Sequence, residues 1–277
     1  PICKLKDITA NALETINNVD LIAAEDTRVS INLLTHFEIK KKLISYHKFN
    51  ENKQSDKLID KLKQGTNIAL ITDAGTPCIS DPGSILVKKA IENNINIYGI
   101  GGISALIVGL SVSGFNIESF AFYGFLPRQK KDLIASLTKI NNDSSKIAII
   151  YESPKRIINT LIKIQEYLKD PMICLGNDLT KRFERKYYGS CSKVIEELKT
   201  NENYELGEYV LIIEKHKKEN SLKATENTIE ADLINIIVKN KCTLKEAVDI
   251  LAKNKKGSST KKEVYSASLN LKYLFKE

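Results

Sequence analysis

The sequence predicts an α/β protein made of two α/β domains and a small helical segment at the C-terminal end. Three observations predict it. Apolar runs alternate with amphipathic stretches through the first half, the alternation pauses at Pro127 and resumes, and after Glu214 only helix patterns remain. With 277 residues, the chain also exceeds the size at which one core keeps growing.

In the first half, runs suited to buried parallel strands occur at Asp20–Ala24, Asn67–Thr72 and Ile95–Ile100, with amphipathic stretches at Thr9–Asn18, Asp56–Gln64 and Ser84–Asn93. A further strand at Phe120–Gly124 runs into Phe125-Leu126-Pro127-Arg128, where the proline stops the pattern and a Lys-rich helix begins. The expected domains are therefore residues 1–124, 125–217 and 218–277. Strands at Lys146–Tyr151, Pro171–Leu175 and Glu208–Glu214, with a helix over Pro154–Leu168, make up the second domain. A charged linker, Lys215–Leu222, leads to three helix starts with a capping acceptor followed by an acid: Asn227 with Glu230, Thr243 with Glu246, and Thr260 with Glu263. The last two helices flank Asn254–Ser259 in a helix-turn-helix outline, which suits either nucleic-acid contact or packing on a protein surface.

Composition narrows the function. A net charge of +8, from 42 basic and 34 acidic residues, favours an anionic partner. Only five of the 42 basic residues are arginine, so much of the lysine excess reads as background composition. The five cysteines are scattered without a CxxC or Cys/His spacing, so neither a disulfide framework nor a metal site is expected, and a reducing cytoplasm fits. No basic-then-apolar leader opens the sequence, which argues against secretion. Ile97–Ile117 is uncharged and long enough to cross a bilayer. Its glycines and serines make it read instead as a buried strand, a glycine turn and a small-residue helix, so no membrane partner is expected.

The densest candidate segment is Asp73-Ala74-Gly75-Thr76-Pro77-Cys78-Ile79-Ser80-Asp81-Pro82-Gly83, between a strand and a helix. Ligands of open α/β sheets sit beyond the carboxyl ends of strands, and two glycines with two prolines let loop amides approach closely. The alternative is a structural turn in which Ser80 or Asp81 caps the next helix. Gly99-Ile100-Gly101-Gly102-Ile103-Ser104-Ala105 has the same placement but is neither GxGxxG nor a Walker loop, which removes support for nicotinamide and nucleotide triphosphates. Ala24-Glu25-Asp26-Thr27-Arg28 brings two carboxylates and an arginine to another strand end. The five arginines, Arg28, Arg128, Arg156, Arg182 and Arg185, all lie in or beside polar motifs, in keeping with bidentate anion recognition or with buried ion pairs. His36 reads as a helix end, and His47 follows a strand toward the cleft side.

At these residues the chain resembles the ribosomal RNA small subunit methyltransferase I family of the tetrapyrrole-methylase superfamily. AEDTR, DAGTP followed by SDPG, SGF, YGFLPR, YESPKR, LTKRFER and GEYVLIIE occur in that order and span essentially the whole chain. The resemblance implies a ligand cleft between the two α/β domains that takes S-adenosyl-L-methionine, a homodimer, and 2'-O-methylation of a cytidine in 16S rRNA of the small ribosomal subunit. It implies donor-site roles for Asp73, Ala74, Gly75, Thr76, Pro77, Ser104, Ala105, Leu126, Pro127 and Tyr151. Glu25, Arg28, Arg156 and Thr180 fall toward RNA, and Lys181, Glu152 and Asp26 toward proton transfer or oxyanion stabilisation.

The chain departs from the family pattern where a first strand and a Pro-Ile-Gly-Asn-Leu loop would stand; the sequence opens at Pro1, with Cys3-Lys4 in place of Gly-Asn. An exposed edge on the neighbouring strand is then expected. Gly101-Gly102-Ile103-Ser104-Ala105 and Asn177-Asp178-Leu179-Thr180-Lys181 also differ from the usual turns. Two other readings stay open: a weakened or inactive RNA- or ribosome-binding paralogue, and a methyltransferase acting on a small tetrapyrrole-type molecule.

Overall fold

The computed structural model describes residues 1–215, 228–254 and 261–274. The chain forms two compact units, Pro1–His216 and Lys217–Glu277.

The larger unit holds two sheets. In the first, β1 (Leu21–Ala24) lies between β2 (Lys42–Ser45) and β3 (Ile68–Ile71), and both pairings are parallel. Both faces of β1 are buried, which is why it reads as an unbroken apolar run. Leu21 and Ala23 pack with Leu58 and Ile59 of α3 (Glu51–Lys63) and Leu86 and Ala90 of α4 (Ser84–Glu92). Ile22 and Ala24 pack with Ile16 of α1 (Ala10–Asn18) and Leu34 of α2 (Thr27–His36). The expected strand at Ile95–Ile100 is absent. That segment joins no ladder, and Ile97 and Tyr98 are exposed. An apolar run becomes a strand only when a neighbour takes up its amides and carbonyls, and the sheet stops at β3. Between β3 and Ile100–Gly102 lies a groove of about 130 Å³.

The second sheet has the order β4-β5-β8-β6-β7, with β4 (Phe120–Phe125), β5 (Ile147–Glu152), β6 (Met172–Asn177), β7 (Arg185–Ser190) and β8 (Tyr209–Glu214). Only β4 and β5 run parallel; the other pairs are antiparallel. The strand read as the end of the first domain thus hydrogen-bonds into the second sheet, so the change of sheet comes before Phe120. Helices α6 (Lys130–Asn142), α7 (Ile157–Leu168) and α8 (Cys191–Lys199) cover one face. The opposite face takes α5 (Ala105–Ser111), whose Gly109 lies so close that a Cβ would sit 2.9 Å from Val210. Strand β7 escaped the sequence reading because it is an edge strand with Arg185, Lys186 and Tyr188 exposed, and charge on an edge masks the apolar signal.

At the end of this unit the buried Lys215 ammonium donates to the carbonyls of Ile140 (2.8 Å) and Asp143 (2.9 Å), satisfying the last turn of α6. Lys215→Met is expected to cost about 1–3 kcal/mol, because those carbonyls stay buried without their donor. A lower urea midpoint for the full chain would show it; an unchanged midpoint would mean that water takes the lysine's place.

The smaller unit packs α9 (Ile229–Asn240), α10 (Leu244–Asn254) and α11 (Lys261–Leu274) around Leu233, Ala247, Leu251, Val264, Ala267 and Leu271. Thr243 and Glu246 form the expected reciprocal cap, with the Thr243 amide donating to Glu246 at 2.8 Å. The cap of α9 is Thr228, accepting from the Ala231 amide, one residue later than expected. Asn227, Thr260, most of the Lys215–Leu222 linker and the Lys255–Ser259 turn lie outside the described residues.

Candidate active site

The parallel register pairs Ala24 with Ile71, so the residues just beyond β1 and β3 emerge side by side. Thr72 donates its hydroxyl proton to Glu25 Oε2 at 2.6 Å, and the Asp73 carboxylate accepts the Asp26 amide at 3.1 Å. Asp26 caps α2 through the Arg28 amide (2.8 Å) and holds the Arg28 guanidinium at 2.6 Å. Those bonds to Arg28 pull the Asp26 carboxyl down to a pKa of about 2, which makes it a weak proton acceptor at neutral pH. Arg28 itself is strongly exposed, its guanidinium oriented by Asp26.

The loop after β3 is held in unusual backbone conformations. Cys78 and Ser80 have φ of 71° and 66°, although neither is glycine. Gly75, at φ +84°, has open space where a Cβ would stand, so a ligand can approach its backbone. Gly83, at φ +141°, has no such room: a Cβ would meet Cys78 Sγ at 2.6 Å and Leu70 at 2.7 Å. Neither Ser80 nor Asp81 caps α4. The cap position is Gly83, without a side-chain bond, so the capping alternative for Asp81 is removed.

Asp81 is half-buried, and its carboxyl pKa is pushed up to about 6, chiefly by burial, with the charges of Glu25 and Asp73 adding to it. Asp73 is also raised, again first by burial. Sequence reading did not single out Asp81 for chemistry. Its type and place in SDPG were visible, but its proximity to Glu25 and Asp73 depends on how the two strand ends meet.

The second sheet supplies the facing wall. Gly124 of β4 comes within 3.1 Å of Ser80 Oγ, measured from an ideal Cβ, which brings the loop against the sheet. Tyr151, at the end of β5, stacks edge-on with Phe122 and Phe125 at 4.9 and 5.7 Å. Its hydroxyl accepts the Leu106 amide at 3.0 Å, capping α5, and bonds Ser104. Burial raises the Tyr151 pKa, and the Asp81 charge adds to this, which puts Asp81 and Tyr151 in one electrostatic environment. From the expected set, Glu25 and Asp73 thus lie near enough to act on the Asp81 carboxyl, and Ser104 joins Tyr151.

Other expected residues have structural work. The Leu126 side chain is buried in the second sheet's core. Arg156 donates to the carbonyls of Leu126 (2.9 Å) and Pro127 (3.1 Å) and lies 3.4 Å from Glu152, so its fork holds the linker, in place of the phosphate expected from sequence. Glu152 is fully buried and accepts the Ser153 amide and the Thr160 hydroxyl, both at 2.7 Å. Thr180, at φ 67°, donates its amide to Glu184, while its buried hydroxyl lacks a partner among the described residues. Burial works to lower the Lys181 pKa, but hydrogen bonds to Asp178 (2.7 Å) and Glu208 (3.1 Å) outweigh it and raise the value. Lys181 therefore keeps its proton, and burial does not make it the base considered from sequence. His47 Nδ1 accepts the Phe49 amide in a local turn.

Comparison with known proteins agrees with this architecture. The family profile of tetrapyrrole (corrin/porphyrin) methylases matches residues 1–195. A ribosomal RNA small subunit methyltransferase I of Haemophilus influenzae is 39% identical over 279 aligned positions, covering 99% of this chain and 93% of that one. The protein of the same name from Bacillus subtilis is 37% identical, covering 96% and 91%. The chain belongs to the ribosomal RNA small subunit methyltransferase I family, within the tetrapyrrole methylases.

The methyltransferase fold is also that of a solved diphthine synthase (TM-score 0.59, 15% identity, 76% of this chain and 86% of that one) and of the methyltransferase CobJ (0.55, 12%, 76% and 89%). Membership makes S-adenosylmethionine the methyl donor of this methyltransferase. The residues present fit it. Open space over Gly75 admits a ligand to the backbone, Phe125 and Tyr151 offer aromatic surface, and the Asp73 and Asp81 carboxyls of the same loop suit a ligand that carries positive charge. Among the described residues, no helix is long and apolar enough to cross a membrane, so Ile97–Ile117 is not a spanning helix.

Proposed function

We propose that this methyltransferase acts on 16S rRNA of the small ribosomal subunit and methylates the 2'-hydroxyl of a cytidine ribose. The observation that carries the reading is membership, over nearly the whole chain, in a family named for that RNA. The net charge of +8 suits a polyanionic substrate. A homodimer and a cytoplasmic setting belong to the same proposal.

S-adenosylmethionine, when bound, supplies a methyl group on a positively charged sulfur. The chain's task is to hold the ribose oxygen about 3 Å from that carbon, in line with the departing sulfur, and to exclude water. The Asp73–Pro77 loop, Ser104, Ala105 and Tyr151 hold the donor; the Leu126-Pro127 backbone, braced by Arg156, closes its side. Arg28 offers an exposed guanidinium for a flanking phosphate, Glu25 and Asp26 orient the strand-end loop, and the Thr180 turn lies toward the RNA.

Incubating the protein and S-adenosylmethionine with small subunits that lack the modification is expected to yield one 2'-O-methylcytidine on mass mapping of the rRNA. A methyl group on a base, or none, would refute the reading. Calorimetry with the donor alone separates an enzyme, which releases heat, from an RNA-binding paralogue, which does not.

A further inference from the structure

We propose that the loop between β6 and β7 carries a stacking platform for single-stranded RNA, on which an unpaired base lies against Phe183 while Arg182 and Arg185 take the adjoining phosphates. The inference rests on the RNA reading above and deepens it.

The root of this loop, residues 178–184, is braced. Asp178 donates its amide to the Glu208 carbonyl at 2.9 Å and accepts the Glu208 amide at 3.2 Å. Its carboxylate lies against Gly207, where a Cβ would collide with it. Leu179 belongs to the same apolar cluster as Ala105 and Tyr151, two residues of the expected donor site. The Lys181 amide returns to the Asp178 carbonyl at 2.9 Å, and Glu184 holds the Thr180 amide at 2.7 Å. Positive φ at Asp178 and Thr180 closes the turn. A loop already fixed at its base loses little conformational freedom when a ligand settles on it.

Phe183 leaves this braced turn 73% exposed, with the Arg182 guanidinium 5.4 Å from its ring centroid. One exposed ring is ordinary on a protein surface. The charges beside it are what point to a ligand. Lys181 pairs with Asp178 and Glu208, and Lys186 pairs with Glu184. Arg182 and Arg185 are exposed, and neither forms an ion pair among the described residues. The carboxylates here are thus taken up by lysines, and both guanidinium groups stay open to an outside anion. In a chain with only five arginines among 42 basic residues, two of them flank this ring. A guanidinium stacks on flat rings and grips phosphate with two parallel bonds, which an ammonium cannot do.

An aromatic face beside open guanidinium groups matches the two halves of a nucleotide. Bases inside a duplex have both faces covered by their neighbours, so the platform selects unpaired strand. Phenylalanine has no hydrogen-bonding group, so the contact supplies affinity and register and leaves the choice of base to other residues.

The chain contains no tryptophan, so F183W places a single indole reporter on the platform. An unstructured pyrimidine oligoribonucleotide at low salt should quench its emission, and the same strand in a duplex should quench it far less. F183A should weaken oligonucleotide binding about 5- to 150-fold. F183L should behave like F183A despite its apolar bulk, and F183W should bind at least as tightly as wild type. R185A should reduce the slope of log affinity against log salt by about 0.7. With unmodified small subunits and S-adenosylmethionine, F183A should raise the subunit concentration needed for half-maximal rate. Its donor affinity by calorimetry and its melting temperature should match wild type. F183A that binds and methylates like wild type, or F183W emission that RNA does not change, overturns the inference and leaves the RNA reading standing. A lower F183A melting temperature also overturns it, by making the ring structural. So does a loss on small subunits with none on the oligonucleotide, which would assign Phe183 to a protein contact. A wild type that neither binds the oligonucleotide nor methylates subunits refutes the RNA reading itself, and the platform with it.

Discussion

Glu152→Ala should lower stability by about 3–5 kcal/mol, the usual cost of removing one partner from a buried, hydrogen-bonded charge. Glu152 is fully buried, accepts the Thr160 hydroxyl and the Ser153 amide at 2.7 Å, and lies 3.4 Å from Arg156. Alanine orphans two donors and leaves a guanidinium, only 24% exposed, without its counter-charge. The loss reaches function through the linker, because Arg156 also holds the carbonyls of Leu126 and Pro127. Glu152→Gln keeps the acceptor for Thr160 and should recover part of the stability. Chemical denaturation of both variants, with donor affinity measured on the folded protein, checks this. An alanine variant as stable as wild type would show that the network is replaceable by water.

Gly83→Ala should cost roughly 2–4 kcal/mol, from backbone strain plus overpacking. At φ +141° an L side chain is already strained, and the added carbon would stand 2.6 Å from Cys78 Sγ and 2.7 Å from Leu70. The two contributions separate experimentally. Cys78→Ala in the same chain removes one clash, so the double variant should recover only part of the loss. Full recovery would mean that neither the backbone conformation nor the Leu70 contact costs anything there. Because Asp81 sits two residues away, G83A should also alter the pH dependence of melting between pH 4 and 6, the range in which Asp81 changes charge.

The strands that the sequence reveals are those with both faces covered. Leu21–Ala24 and Ile147–Glu152 are central, buried and uninterrupted, and their apolar character follows from that position. The misread elements are those whose state depends on a neighbour. Ile95–Ile100 has a strand's residues and no ladder, and Arg185–Ser190 has a ladder on an edge but too many charged residues to look like a strand. The active-site loops show the same division. Glycine and proline density marks Asp73–Gly83 as unusual, because special φ values need special residues. Which side chain in that loop does chemistry is not a local property.

The order of motifs along the chain determined the family and the methyl donor, strand-end motifs identified Glu25 and Asp73 as polar groups near a cleft, and the family resemblance added Tyr151. Tertiary structure decided their use. Five arginines look equivalent in sequence, yet Arg28 reaches solvent beside Asp26 while Arg156 is folded onto two carbonyls and a buried acid. Lys181 looks like a candidate base until Asp178 and Glu208 meet it. Asp81 looks like a helix cap until Glu25 and Asp73 are found beside it and Gly83 takes the cap position. The physical reason is common to all three: a charged group's proton affinity and freedom are set by burial and by charges within a few ångströms, and those neighbours come from distant parts of the chain.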